Sequence, residues 1–201
     1  MFTGIVEEVG RVRRREGGEL VIECHHILEG SQLGDSIAVN GVDLTVRTMD
    51  ADSMSFDVMP ETFRRSNLGT LQPGEAVNLE RSVTAATRLS GHIVRGVVEA
   101  TCRLHSFTPE GDAIIVRFET DPEHLKYIAM KGPVCVDGIS LTVMAKDATS
   151  FSVSVVQYTQ EHTNLLQKQP GALINLETDI LARYIEQLLE ARAATTTAST
   201  Q

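Results

Sequence analysis

The chain of 201 residues says nearly the same thing twice. "NGVDLTV" at Asn40–Val46 returns as "DGISLTV" at Asp137–Val143, an offset of 137 − 40 = 97. The offset holds downstream: Thr62 meets Thr159, Pro73 meets Pro170, Gly74 meets Gly171, Asn78 meets Asn175 and Glu80 meets Glu177. Upstream, "TGIVEEVG" resembles "RGVVEATC", with Gly4 opposite Gly96 and Glu7 opposite Glu99 at 96 − 4 = 92. The second copy therefore carries five more residues in between. A register kept over so many positions marks a tandem duplication, so the fold has to be built from two like units.

Each unit reads as short strands. "GIVEEVGRVRR" runs to a turn at Gly17-Gly18, "ELVIEC" follows, and "DSIAVNGVDLTV" is two β-rich runs broken at Asn40-Gly41, a strong hairpin signal. "ADS" (Ala51–Ser53) and "DATS" (Asp147–Ser150) mark the next turns, "SFDVM" and "SFSVSVV" are alternating strands, and "PETFRRSNL" allows one or two helical turns. Five or six strands in about ninety residues, dense in turns, predict a small antiparallel barrel or sandwich. After Glu177, "TDILARYIEQLLEAR" changes period: Asp179 is a candidate N-cap, and Ile180, Leu181, Tyr184, Ile185, Leu188 and Leu189 form one apolar stripe. That stripe suits packing on the chain's own barrels and packing on copies of itself equally well. The expected division is 1–91 and 92–178 for the two units, 179–194 for a helix and 195–201 for a disordered tail.

Composition excludes several classes. A net charge of −9 argues against a nucleic-acid partner, and the one basic run, Arg11–Arg15, reads as a solvated strand edge. No apolar run approaches membrane-spanning length and the first residues resemble no signal peptide, so a cytoplasmic protein is expected. Cys24, Cys102 and Cys135 are widely spaced without C-x-x-C, which indicates neither a disulfide framework nor a zinc site. Cys24, His25 and His26 are adjacent, and neighbouring strand residues face opposite ways, so no metal site is expected there. Nucleophile elbow, P-loop and dinucleotide fingerprint are lacking. Instead a Gly-apolar-Val segment and an L-T-V strand recur. Small barrels hold one small ligand at the mouth, and the hydroxyls of Thr45, Thr62, Ser140, Thr142 and Thr159 could match a uracil-like ring edge, although threonine also simply favours strands.

"MFTGIVEEVG", "DSIAVNGVDLTV", "ETFRRSNLG", "VNLERS", "GHIVRG", "LKYIAMKG" and "VDGISLTV", in that order from Met1 to about Leu189, together resemble the riboflavin synthase family in its form with two lumazine-binding domains. The resemblance implies an all-β fold of two tandem six-stranded antiparallel Greek-key barrels plus a C-terminal α-helix that bundles a homotrimer. It implies a transferase that dismutates two molecules of 6,7-dimethyl-8-ribityllumazine by four-carbon transfer, giving riboflavin and 5-amino-6-(ribitylamino)uracil without an external cofactor. Lumazine synthase is a further partner to test for. A non-catalytic lumazine- or flavin-binding antenna or carrier of the same family is the alternative, and a structural trimer with vestigial sites a third reading. Persistence of the ligand motifs in both copies favours the enzyme.

Carried onto this sequence, the resemblance assigns to the first barrel Gly4, Ile5 and Val6, then Asp43, Leu44 and Thr45, then Asp57, Val58, Met59, Pro60, Glu61 and Thr62. To the second it assigns Gly96, Val97 and Val98, then Lys131, then Ser140, Leu141 and Thr142, then Val155, Val156, Gln157, Tyr158, Thr159 and Gln160. The composite site would lie between the first barrel of one subunit and the second barrel of its neighbour, which holds two identical substrates face to face. Two positions depart from the family pattern. The usual N-G-x-C-L-T-V has Asp43 at its cysteine, and the usual G-H-x-x-x-G-H has Val97 at its second histidine, leaving His92, Ser36, Thr45, Ser140 and Thr142 in place. Asp43, His92 and Ser140 are the candidate catalytic residues. A carboxylate packed against a heteroaromatic ring tends toward a raised pKa, so Asp43 could serve as the base that takes a proton from the acidic methyl of one lumazine; it could also activate water or hydrogen-bond the ribityl chain.

Overall fold

The computed structural model of the chain describes residues 1–198. Strands β1 (Glu8–Glu16), β2 (Glu19–Glu23), β3 (Ser36–Val39), β4 (Val42–Met49), β5 (Ser53–Asp57) and β6 (Ala76–Arg81) close antiparallel in the order β1-β2-β5-β4-β3-β6. Strands β7 (Ala100–Glu110), β8 (Ala113–Glu119), β9 (Pro133–Val136), β10 (Ile139–Lys146), β11 (Ser150–Val155) and β12 (Leu173–Thr178) repeat that order as β7-β8-β11-β10-β9-β12. The expected pair of six-stranded Greek-key barrels is what forms, and closure leaves neither sheet an open edge.

Local chemistry explains the strands. Along β4, Val42, Leu44 and Val46 point into the barrel while Asp43, Thr45 and Arg47 face out, the period-two pattern of a half-buried strand. Between β3 and β4 the chain turns on Asn40 (φ 46°) and Gly41 (φ 77°), and between β9 and β10 on Asp137 (φ 45°) and Gly138 (φ 79°). Two successive left-handed residues make the I′ hairpin whose twist matches its strands. Register shifts fall at Arg13 and Arg47 in the first barrel and at His105 and Met144 in the second, the same places in each repeat. Bulges there bend long strands around a small barrel. The five extra residues are also located. Val12 pairs with Ile22 and Leu104 with Phe118, offsets of 104 − 12 = 92 and 118 − 22 = 96, so four lengthen the β7–β8 hairpin and one lies before β9.

Each barrel has its own core, around Leu20, Ile22, Met54 and Phe56 in the first and around Phe118 and Phe151, with ring centroids 5.2 Å apart, in the second. Short helices α1 (Pro60–Arg65) and α3 (Gln157–His162) cap equivalent barrel ends, and α2 (Pro122–Leu125) adds one turn to the second. Cys24 is buried while His25 and His26 are exposed, where the chain leaves β2 and enters a 3-10 turn at His26–Leu28. Arg13 leaves its strand to grip Asp52 through two hydrogen bonds of 3.0 and 2.9 Å, so the basic run is a solvated, ion-paired face.

The barrels meet back to back through a buried polar network. A Cβ on Gly41 would lie 2.7 Å from the Gly138 amide nitrogen, so the two I′ turns touch backbone to backbone. Asn78 Nδ2 donates to the Asp137 carbonyl and Asn175 Nδ2 to the Asn40 carbonyl, both at 2.8 Å. The Asn67 amide donates to Asn175 Oδ1 at 2.7 Å, and the Asn164 amide to Asn78 Oδ1 at 2.8 Å. Every partner here is its counterpart plus 97, so the duplication reads in space as a pseudo-twofold axis through the interface.

Helix α4 (Ile180–Ala198) is capped by Asp179, whose Oδ1 accepts from the Leu181 amide at 3.0 Å. It reaches past the expected end at 194, and of the expected tail, residues 199–201 lie outside the described residues. Its polar side is tied to the second barrel by Lys126–Glu186 (2.7 Å) and Arg183–Glu99 (2.8 Å), while Leu181, Tyr184, Ile185, Leu188 and Leu189 stay exposed. No described helix is long and apolar enough to cross a membrane.

Candidate ligand pockets

The Gly-apolar-Val segments do not line the barrels that follow them in sequence. Phe2 and Val94 pair in an isolated antiparallel bridge, and beyond it the two chain segments cross over. The Ser140 amide donates to the Gly4 carbonyl at 2.8 Å, and the Asp43 amide to the Gly96 carbonyl at 2.9 Å. Val6 packs against the second core and Val98 against the first. The assignment of Gly4–Val6 to the first barrel and Gly96–Val98 to the second is therefore reversed. The physical reason is that the Phe2–Val94 bridge sets the two segments side by side between the barrels, and each then bonds a strand of the opposite barrel, Gly4 to β10 and Gly96 to β4. Both glycines are obligatory: Gly4 (φ 76°) and Gly96 (φ 83°) are left-handed, and a Cβ would come within 2.6 Å of the Cβ of Ser140 or Asp43 respectively.

The crossover completes a pocket of about 390 Å³ on the first barrel, lined by Ser36, Val42, Asp43, Thr45, Glu61, Thr62, Arg65 and Ser66 together with Gly96, Val97 and Val98. That volume is in the range of small-molecule sites. Asp43 and Thr45 are exposed on its wall, whereas the Leu44 and Val58 side chains belong to the core, so only their backbone faces outward. Asp57 is turned to Arg47 (3.0 Å), and Met59 and Pro60 open α1 on the surface. A larger cleft of about 540 Å³ runs beside the first barrel along Arg81–Ser90; it shares only Ser36 with this pocket and holds none of the catalytic candidates.

On the second barrel Gly4 packs against Ser140, with exposed Ile5 and Thr142 nearby in the repeat's equivalent places. Leu141 and Val155 are core residues. Lys131 is exposed at φ 63°, standing where the first repeat has Gly34 (φ 89°). Tyr158 stacks on His162 at 3.9 Å between ring centroids, where the first barrel has Glu61 paired with Arg65. Gln157 bonds Glu161 (2.8 Å), Gln160 bonds the Val155 carbonyl (2.9 Å), the Thr159 carbonyl accepts from Thr163, and Val156 is exposed.

Two of the catalytic candidates touch. His92 Nδ1 lies 2.7 Å from Ser140 Oγ, and its Nε2 is buried with no partner among the described residues. Burial pushes the imidazole below its usual 6.5, partly offset by the Asp179 carboxylate, which keeps His92 neutral near pH 7 and able to exchange a proton with the serine.

Two buried acids were given no role from the sequence. Glu80 and Glu177 are buried one residue before the ends of β6 and β12. Glu80 accepts from the Thr3 amide (2.6 Å), Thr3 Oγ1 (2.7 Å) and the Gly4 amide (2.9 Å); Glu177 accepts from the amides of Arg95 (2.7 Å), Gly96 (3.0 Å) and Val97 (3.1 Å). Burial raises both carboxyls, and those amides pull them back. The available signal was an acid closing an otherwise apolar strand, "VNLE" and "INLE", at the same offset in both copies.

The lumazine binding domain family model matches residues 3–82 and again 95–179. A riboflavin synthase of Actinobacillus pleuropneumoniae is 43% identical over 94% of this chain and 90% of its own, and one of Mycobacterium bovis is 44% identical over 94% and 98%. Among solved structures, LumP complexed with riboflavin covers 89% of this chain and all of its own, with a TM-score of 0.82 at 23% identity, a likeness of fold.

Proposed function

The chain belongs to the riboflavin synthase family of proteins with two lumazine-binding domains, and from that premise we propose that it converts two molecules of 6,7-dimethyl-8-ribityllumazine into riboflavin and 5-amino-6-(ribitylamino)uracil. The likeness to riboflavin synthases over nearly the whole of both chains carries this reading. The dismutation balances within its two substrates: the four-carbon unit that one lumazine loses is the unit the other gains, so no external oxidant or reductant is called for.

Each barrel takes one lumazine. Thr45 and Thr62, with backbone of Gly96–Val98, hold the ring on the first barrel; Thr142 and Thr159, with backbone of Gly4–Val6, do so on the second. The first barrel of one subunit faces the second barrel of the next, in a homotrimer bundled by the exposed stripe of α4, and the paired rings enter as a positioned pair. Asp43 takes the proton from the methyl group of one ring. Ser140, its proton held by neutral His92, stabilises or delivers the nucleophile that adds to the other. The protein works in the cytoplasm.

Purified protein supplied with 6,7-dimethyl-8-ribityllumazine is expected to form riboflavin, followed by absorbance. Tight binding without product would replace the enzyme by the binding-protein reading. Asp43→Ala is expected to slow turnover at least about a hundredfold, the usual worth of a general base; turnover at the native rate would remove Asp43 from that role.

A further inference from the structure

We infer that Glu80 and Glu177 are positioning residues for the ligand pockets and that they act across the repeat: the glutamate of each barrel holds the wall of the other barrel's pocket. The inference deepens the proposed function and rests on it. Glu80 sits near the end of β6, in the first barrel, yet its two oxygens grip Thr3 and Gly4, and the Gly4 carbonyl takes the Ser140 amide of the second barrel. Glu177 sits near the end of β12, in the second barrel, and grips Arg95, Gly96 and Val97, where the Gly96 carbonyl takes the Asp43 amide of the first. Gly96 and Val97 line the first pocket directly.

A carboxylate suits this task because both oxygens only accept, matching two or three amides that point one way. These segments are outside any sheet, so their amides have no strand partner, and a buried amide left without an acceptor costs as much as a lost hydrogen bond. A glutamine in the same place would turn a donor toward an amide. The segment would then shift, and the pocket wall with it, while the six-stranded ladder that carries the glutamate stays paired.

The test uses the full chain, 15N-labelled, titrated with riboflavin, with affinity read separately at the Thr45 amide for the first barrel and the Thr142 amide for the second. Glu177→Gln is expected to weaken binding at Thr45 about tenfold and leave Thr142 within about twofold, and Glu80→Gln to do the reverse. Thr3→Val is a milder probe that removes without charge both the Thr3 Oγ1 bond to Glu80 (2.7 Å) and the bond that Oγ1 accepts from the Ile5 amide (3.2 Å), and is expected to weaken only the Thr142 site, about threefold. Weakening confined to the barrel that carries the substitution, or equal in both, overturns the inference and leaves the function standing. Wild-type chain that binds riboflavin at neither barrel overturns the function and this inference together. Should the glutamine variants not fold, Thr3→Val decides: an unchanged Thr142 site refutes the crossed wiring.

Discussion

At the centre of the interface, the pseudo-twofold symmetry fails at one atom, and the failure has a measurable cost. In the first repeat Asn40 Nδ2 lies 3.5 Å from Asn67 Oδ1. The equivalent atoms in the second are Asp137 Oδ2 and Asn164 Oδ1, two acceptors, and both are buried without a hydrogen-bond partner among the described residues. The Lys168 ammonium stands 4.0 Å from Oδ2, too far to donate. Burial raises Asp137 from 3.8 to about 6, with Lys168 and the bonds from Asn175 and Asn67 pulling the other way. A carboxyl raised on folding is most stabilising when protonated, below the unfolded value near 3.8, and that stability is lost as pH rises through about 6. At about 1.4 kcal/mol per pH unit, the loss by pH 7.5 is about 3 kcal/mol. Asp137→Asn supplies the missing Nδ2 donor and removes the ionisation, at the expense of leaving Lys168 without its counter-charge. The expected net gain is about 2 kcal/mol at pH 7.5, or a Tm higher by about 4–8 °C for a chain of this size, vanishing by about pH 4. Scanning calorimetry of both proteins from pH 4 to 8 tests this. Glu80 and Glu177 are raised in the same direction, so only the difference between variant and wild type isolates Asp137. A variant less stable than wild type at pH 7.5, or a difference that does not change with pH, would show that Lys168 rather than a proton satisfies the carboxylate.

Gly96→Ala places a Cβ 2.6 Å from that of Asp43 and 2.9 Å from the Phe2 ring; a left-handed alanine with that contact should cost about 1–3 kcal/mol of stability by urea titration and weaken ligand binding at the first barrel selectively. Ser140→Ala removes the partner of His92 and is expected to lower kcat about a hundredfold with KM little changed; because burial lowers His92, the wild-type rate should fall only below pH 6.5, and that acid limb should disappear in the variant. Leu188→Glu, on a residue 70% exposed, puts a charge in the stripe of α4 and is expected to turn a trimer into monomers by sedimentation velocity, while a monomeric wild type would refute the bundle.

What could be read from the letters was what repeats. Asn40-Gly41, with its repeat Asp137-Gly138, announced hairpins because only that turn type wants two left-handed residues; the alternation of "VDLTV" was there to be used, but the motif-based list of ligand contacts took in Leu44 and Leu141, whose side chains lie in the two cores. The sharing of the Gly-apolar-Val segments between the barrels was taken over from the resemblance, and the letters carry no signal for the crossover: Gly4 precedes β1 by a few residues and still lies on β10. The asparagine network was hidden for a different reason. Asn78 and Asn175 matched in register, but a polar residue repeated in a strand reads equally as a solvated face, and only closure of both barrels shows that the two faces meet. Glu80 and Glu177 were visible as letters and silent as roles, since five of the six bonds described for them come from backbone amides, which carry no sequence.

The crossed segments bear on how such a chain could have arisen. A half-length ancestor would have had the same first residues and no second barrel in its own chain to receive them, so two copies would have had to trade their N-termini, each finishing the other's pocket; a fragment ending near residue 91 is accordingly expected to sediment as a dimer. Joining the copies end to end made that exchange internal and, more to the point, released the halves from sameness. Once a partner no longer had to be identical, one copy could carry Asn40 and the other Asp137, and Asp43 could differ from Ser140. Division of labour between two like sites is thus a licence granted by the tether, and these paired positions are where the chain has used it.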